Sequence, residues 1–89
     1  MIRSELEIVN RLGLHARAAA KFVTCAGTFR SAVRVQRNGR CVNGKSIMGV
    51  MMLAASCGSS ILVEVDGDDE QAAFQALDAL IKDRFGEGE

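Results

Sequence analysis

The sequence predicts a two-layer α+β sandwich in which helices cover one face of a largely antiparallel β-sheet. Four segments alternate apolar and polar side chains, which is typical of strands with one buried face. Three further segments carry apolar residues at helical spacing, and the chain order is strand, helix, strand, strand, helix, strand, helix. Because three helices cover only one face of such a sheet, we expect its other face to contact solvent.

A change of periodicity marks the first strand and the first helix. Residues 2–8 alternate apolar and polar side chains, and a turn is expected over residues 10–13. From Ala16 the sequence is rich in alanine and repeats apolar residues at helical spacing. Gly27 is expected to end this helix in a left-handed cap.

The middle of the chain predicts a hairpin followed by a short helix. Residues 32–37 alternate again, and Asn38 with Gly39 strongly indicates a two-residue hairpin turn before a return strand over residues 40–43. Ser46 precedes an apolar run, so its hydroxyl is expected to cap a short helix that Gly58 ends.

The last strand and helix follow the same logic. Residues 61–66 alternate as a fourth strand. Asp68 followed by Gln71 resembles a capping box, and an apolar helical stripe then continues to Gly86. Residues 86–89 are expected to form a flexible tail.

Length and composition predict one cytoplasmic domain over residues 1–89, with 48% apolar and 25% charged side chains. No segment approaches the ~20 apolar residues of a membrane-spanning helix, and early charges interrupt any secretory segment. The three cysteines are too widely spaced for a disulfide framework or a paired metal-ligand motif. We therefore expect no metal site.

Charge is divided between the two halves of the chain. Residues 1–45 hold nine Lys or Arg and two acids, net +7, whereas residues 46–89 hold two bases and nine acids, net −7. This division favours a basic surface that attracts an acidic partner or a phosphate, although attraction between the two halves is the alternative. Nucleic-acid binding is not favoured, because Trp, Tyr and recognised binding motifs are absent from the sequence.

The single histidine, His15, lies where the first turn meets the first helix. The first turn of a helix leaves backbone N–H groups without partners and carries a partial positive charge, so it can bind an anion held by the preceding residue. Neutral imidazole can attack phosphorus, and the guanidinium of Arg17 can contact phosphate oxygens. A phosphoryl-accepting site is one interpretation; a helix-capping histidine beside an exposed arginine is the other.

Residues 13–17, Gly-Leu-His-Ala-Arg, closely resemble the phosphorylation-site motif of the HPr family, the histidine-containing phosphocarriers of the bacterial phosphoenolpyruvate-dependent phosphotransferase system. Residues 42–51 are similar to the regulatory-serine segment of that family. Length, element order and both motifs agree along essentially the whole chain. One departure is Ala18, where family members commonly have proline.

The resemblance implies an open-faced sandwich of four antiparallel strands with three helices on one face, acting as a carrier and not as an enzyme. Enzyme I would transfer a phosphoryl group to Nδ1 of His15, and the chain would pass it to an enzyme IIA component. Arg17 and the backbone amides of Ala16, Arg17 and Ala18 would stabilise it, without a cofactor. We expect a monomer. The alternative is a carrier in a nitrogen or carbon-control branch without a role in sugar transport.

Ser46 and its apolar neighbours form a second candidate site. The resemblance implies that an HPr kinase/phosphorylase phosphorylates Ser46, where the added charge would repel an acidic partner. Filling the core is the default role for clustered methionines, but methionine also adapts to several partners at a surface. We expect partner contacts from Leu14, Ala20, Lys21, Ile47, Met48 and Met51.

Overall fold

A four-stranded antiparallel sheet and three α-helices form the fold, as the sequence predicts, in a computed structural model that describes residues 1–88. The elements, in chain order, are β1 (Ile2–Glu7), α1 (Ala16–Gly27), β2 (Ala32–Arg37), β3 (Arg40–Asn43), α2 (Ile47–Met52), β4 (Ser60–Asp66) and α3 (Glu70–Lys82), followed by a 3-10 turn over Arg84–Gly86.

The strand order in the sheet is β1-β4-β2-β3, with every neighbouring pair antiparallel. Val65 of β4 pairs with Ile2 of β1 on one side and with Val33 of β2 on the other. The hairpin between β2 and β3 turns through Asn38 and Gly39, with φ of 51° and 79°. Two successive positive φ angles are typical of a type I′ turn, and the predicted two-residue hairpin is confirmed.

The core lies between the helices and one face of the sheet. Val33 and Val35 of β2 are buried, whereas Ala32 and Arg34 between them are exposed, so only one face of this strand is covered. Each helix buries a single stripe against that face, as the sequence predicts. The buried helix residues are Ala18, Ala19, Phe22, Ala26, Val50, Ala73, Leu77 and Ile81. No helix within residues 1–88 is long and apolar enough to span a bilayer.

The ends of α1 and α2 differ from the prediction. Gly27 is the last residue of α1 and does not adopt the left-handed conformation; the chain continues through Thr28 at φ −78°. The Thr28 hydroxyl donates to the Cys25 carbonyl at 2.7 Å, so a side chain satisfies this helix end instead. The second helix ends at Met52, well before Gly58.

Two arginines explain where α2 stops. The guanidinium of Arg37 donates to the Leu53 carbonyl at 3.0 Å, and that of Arg40 donates to the Met52 carbonyl at 3.1 Å. These contacts satisfy the carbonyls at the helix end from the neighbouring hairpin. Ala54 then turns the chain away with φ 50°.

The predicted capping box at Asp68 and Gln71 is wrong. Helix α3 begins at Glu70, whose carboxylate accepts a hydrogen bond from the Gly67 amide at 3.1 Å. The Asp69 carboxylate accepts from the Ser31 hydroxyl and from the Arg30 and Ser31 amides. The Ser31 hydroxyl is the main cause that lowers the pKa of Asp69 to about 2. Asp69 therefore ties the start of α3 to the start of β2.

The segment after α3 also departs from the prediction. Helix α3 ends at Lys82, before the predicted apolar stripe reaches Gly86. Residues 86 and 87, expected in a flexible tail, are instead held by backbone hydrogen bonds. Phe85 is fully buried, and the Lys21 ammonium donates to its carbonyl at 2.6 Å. Arg84 and Phe85 have φ of 56° and 55°, a conformation that costs non-glycine residues ~1–2 kcal/mol each. Burying the Phe85 ring, worth ~1.5–3 kcal/mol, offsets much of that cost.

Candidate functional site

His15 is the N-cap residue of α1, but its ring does not cap the helix. Its backbone is extended, with φ −74° and ψ −179°, and its side chain makes no capping hydrogen bond. The ring keeps 29% of its surface exposed. The interpretation of His15 as a side-chain cap is therefore wrong, and the imidazole is available for other contacts.

The loop before His15 is fixed by close backbone packing at Gly13. Gly13 has φ +68°, and a Cβ placed there would lie 2.5 Å from the Ala55 carbonyl oxygen. The Leu14 amide donates to that same oxygen at 2.8 Å, while the Asn10 side chain donates to the Gly13 carbonyl at 2.8 Å. Glycine is required here because both the positive φ and the close approach exclude a side chain.

The start of α1 presents backbone donors beside the ring. The first intrahelical hydrogen bond of α1 joins the Ala19 amide to the His15 carbonyl oxygen at 2.8 Å. The amides of Ala16, Arg17 and Ala18 precede it and, by helix geometry, have no such acceptor. Together with the helix dipole, they give this end of α1 a partial positive charge.

Glu87 approaches the ring from the C-terminal segment. Its Oε2 contacts His15 Nε2, and its Oε1 accepts a hydrogen bond from Asn10 Nδ2 at 3.0 Å. The carboxylate is 11% exposed. The Asn10 hydrogen bond, aided by His15 and by the charge of Lys21, holds the pKa of Glu87 below its ordinary value. The site therefore contains an ionised carboxylate that the sequence analysis assigned to the flexible tail.

Two arginines line the pocket beside His15. Arg11 and Arg17 line a surface pocket with the His15 ring, and Leu12 and Glu87 complete its wall. Arg17 is one of the predicted site residues, whereas the prediction placed Arg11 only in the basic half of the chain. An anion in this pocket meets an imidazole, two arginines and a helix N-terminus, which suit a phosphoryl group, and also the Glu87 carboxylate.

A protein-family model described as the PTS HPr component phosphorylation site matches residues 2–83. The chain belongs to the HPr family. The resemblance predicted from its two motifs is thereby confirmed.

Individual members of the HPr family match the chain along its full length. Phosphocarrier protein HPr of Cupriavidus necator is 60% identical over 89 residues and covers 100% of both chains. The HPr of Neisseria meningitidis serogroup A is 55% identical with the same coverage. The crystal structure of HPr-C-His from Thermoanaerobacter tengcongensis superposes with a TM-score of 0.94 at 46% identity, covering 98% of each chain. The four-stranded fold predicted from the sequence is confirmed for this HPr-family chain.

The predicted partner-contact residues are not all at the surface of this HPr-family chain. Leu14 is buried in the core with 4% of its surface exposed, so its assignment to a partner surface is wrong. Its side chain instead anchors the loop that presents the neighbouring histidine. Ala20 is half-buried, and Lys21 is exposed although its ammonium binds the Phe85 carbonyl.

Helix α2 does present an apolar surface. Met48 is 74% exposed, and Ile47 and Met51 are also exposed. Leu12 in the site loop and Met52 at the end of α2 are also exposed, although neither was among the predicted partner contacts. The predicted Ser46 cap is confirmed, since its hydroxyl oxygen accepts from the Gly49 amide at 3.1 Å.

The cysteines of this HPr-family chain are free thiols, two of them exposed. Within residues 1–88, no cluster of three or more His, Cys, Asp or Glu side chains is arranged to hold a metal ion.

Replacing Gly13 with alanine is expected to destabilise the fold by about 2 kcal/mol or more, because strain at positive φ is added to a backbone clash. Gly39→Ala is the matched control: φ is also positive there, but no atom lies within 4 Å of the added Cβ. It should cost about 1 kcal/mol. Urea denaturation of both variants measures the difference, and equal losses would show that the Gly13–Ala55 approach does not constrain the loop.

Proposed function

We propose that this HPr-family chain is a cytoplasmic phosphoryl carrier that accepts a phosphoryl group on His15 from phosphorylated enzyme I and passes it to an enzyme IIA component. The observation that carries the proposal is the partly exposed His15 ring, outside any capping role, in a pocket lined by two arginines at the start of α1. Phosphoryl transfer needs positioning and charge neutralisation more than acid–base chemistry. This site supplies both.

His15, Arg17 and the backbone amides at the start of α1 each have a role in the proposed transfer. Nδ1 of His15 attacks phosphorus, since Nε2 is occupied by Glu87. The Arg17 guanidinium and the amides of Ala16, Arg17 and Ala18 bind the phosphoryl oxygens at the positive end of α1. The group then remains on the protein surface, where an acceptor can reach it. The chain acts as a carrier whose partners supply the remaining catalytic groups.

The exposed side of α2 is the proposed docking surface for enzyme I and the IIA component. Ile47, Met48 and Met51 present flexible apolar side chains, and α2 packs against α1, which begins beside His15. Methionine adapts to partners of different shape, which suits a carrier that binds a donor and an acceptor in turn. Arg17 and Lys21 provide charge at the edge of this surface, with Ala20 between them in sequence, and attract acidic partners.

Ser46 is the proposed regulatory site, phosphorylated by an HPr kinase/phosphorylase. Its hydroxyl lies at the first turn of α2, directly before the apolar docking surface. A phosphate adds about 1.5 to 2 negative charges there. The helix N-terminus tolerates this charge, whereas an acidic partner is repelled by it.

Incubation with enzyme I and phosphoenolpyruvate is expected to add one acid-labile phosphoryl group to the wild-type chain and none to His15→Ala. Arg17→Ala should accept it roughly tenfold more slowly, the order expected for losing a contact with a charged group. Gln75→Ala, on the exposed part of α3, is the control and should react at the wild-type rate. Labelling that persists in His15→Ala would contradict the proposal.

Offering sugar-specific and nitrogen-branch IIA components to the phosphorylated chain identifies its branch.

Met48→Asp is expected to raise the Kd for enzyme I by about tenfold or more, because it places a charge in the centre of an apolar contact. The fold should persist, since the Met48 side chain is mostly exposed. Gln75→Asp adds the same charge on the exposed part of α3 and serves as the control. Titration calorimetry compares the three chains, and an unchanged Kd for Met48→Asp would remove α2 from the docking surface.

HPr kinase/phosphorylase with ATP is expected to form an acid-stable ester on the wild-type chain, and none on Ser46→Ala. Ser59→Ala is the matched control and should be modified normally. The modified wild-type chain should accept phosphoryl groups from enzyme I at least about tenfold more slowly, because like charges then face each other at the interface. Mass spectrometry locates the ester; its appearance on Ser46→Ala would contradict the assignment.

A further inference from the structure

The carboxylate of Glu87 is held at both ends between the His15 ring and a buried amide. Oε2 contacts His15 Nε2, and Oε1 accepts from Asn10 Nδ2. Asn10 is fully buried, and its Nδ2 also donates to the Gly13 carbonyl at 2.8 Å. With Nδ2 engaged by two oxygens, the Asn10 amide has one fixed orientation, and it presents a donor to Glu87.

This arrangement determines which ring nitrogen carries the proton. An ionised carboxylate only accepts hydrogen bonds, and a neutral imidazole has a single N–H. The contact between Glu87 and Nε2 is therefore satisfied only when the proton lies on Nε2, which leaves the electron pair on Nδ1. We propose that Glu87 is a positioning residue that holds His15 in the Nε2–H tautomer, so that Nδ1 is ready to attack phosphorus. This inference rests on the proposed function of His15.

The tautomer removes the need for proton transfer at the attacking atom. The Nδ1 electron pair forms the N–P bond, while the bond between phosphorus and enzyme I breaks and its electron pair leaves with enzyme I. The ring keeps its proton on Nε2 and gains a formal positive charge, which the Glu87 carboxylate faces. On transfer to the IIA component, the N–P electron pair returns to Nδ1. The Glu87 contact is compatible with both states of the carrier.

The C-terminal segment holds the carboxylate in this position. Phe85 is fully buried two residues before Glu87, and the Lys21 ammonium binds its carbonyl. The charged groups around the carboxylate are Lys21, Arg11 and Arg17, all cations, and His15 itself. The Asn10 hydrogen bond lowers the pKa of Glu87, and the contact with His15 and the charge of Lys21 act in the same direction, so the carboxylate stays ionised.

Glu87→Gln tests the proposal because Asn10 determines how the new amide is oriented. Asn10 Nδ2 still needs an acceptor, so the glutamine oxygen takes the position of Oε1 and its NH₂ group faces His15 Nε2. A donor at that place requires an electron pair on Nε2 and moves the ring proton to Nδ1. The isosteric variant is thus expected to reverse the tautomer, whereas Glu87→Ala only removes the restraint.

The experiment uses the full chain labelled with ¹⁵N-histidine at about pH 9, where imidazole is neutral. Correlation spectra that link ring protons to both nitrogens are expected to show protonated Nε2 in the wild type and a shift of population towards protonated Nδ1 in Glu87→Gln. Acceptance from enzyme I should fall by about tenfold in Glu87→Gln, since one hydrogen bond now favours the unreactive tautomer, and by less in Glu87→Ala. Glu5→Gln, on the exposed side of β1, removes the same charge and should behave as wild type.

Three results overturn the inference while leaving the proposed function intact: protonated Nδ1 in the wild type, a wild-type acceptance rate in Glu87→Gln, or acceptance that falls more in Glu87→Ala than in Glu87→Gln. The first needs no variant and so does not depend on how Glu87→Gln folds. A wild-type chain that accepts no phosphoryl group on His15 overturns the proposed function itself. Acceptance that falls more in Glu87→Ala than in Glu87→Gln would show that Glu87 acts through its hydrogen bond to Asn10 and not through the tautomer.

Discussion

The buried amide of Asn10 connects the two parts of the chain that form the site. Its nitrogen donates to Gly13 in the loop before α1 and to Glu87 beyond α3. A buried polar group is costly unless it is hydrogen-bonded, so this side chain restricts both segments to positions in which its donors are satisfied. The ring of His15 lies between these two segments and takes its surroundings from them. Loop, helix start and C-terminal segment therefore act as one unit.

The separation of charge along the sequence has a different meaning in three dimensions. Some charges of the basic half meet acids of the other half, as in the ion pair between Arg3 and Glu64 at 3.4 Å. Exposed ion pairs of this kind contribute only ~0–1 kcal/mol to the stability of the fold. Attraction between the two halves therefore explains little of the division of charge along the chain. Other basic residues, Arg11 and Arg17, line the pocket beside His15. Their concentration at one place supports a role in attracting anions to the ring.

Local patterns were sufficient to predict the elements of the fold. Alternating side chains give the strands, and Asn38 with Gly39 gives the hairpin, because these two residues tolerate the positive φ that the turn needs. Ser46 caps α2 as predicted because its partner, the Gly49 amide, lies only three residues away. Each of these signals depends only on residues that are close together in the sequence.

The features that the sequence did not predict depend on contacts between distant residues. The end of α2 is determined by arginines of the β2–β3 hairpin, and the start of α3 by an aspartate that binds the beginning of β2. Glu87 lies 72 residues from His15, and no spacing rule relates them. A short polar segment rich in glycine indicates flexibility, whereas the buried Phe85 ring, the Lys21 ammonium and the Asn10 amide hold residues 86 and 87 in place. The histidine was predictable from a local motif, whereas its carboxylate partner was not.

The strand order leaves β1 and β3 at the two edges of the sheet. Backbone donors and acceptors along an edge can recruit a foreign strand and start aggregation. β3 offers only four residues and begins with Arg40, while β1 carries Arg3, Glu5 and Glu7 at alternate positions. Short or charged edges resist such strand addition. These edges thereby keep the open backbone of β1 and β3 from forming permanent attachments to other chains.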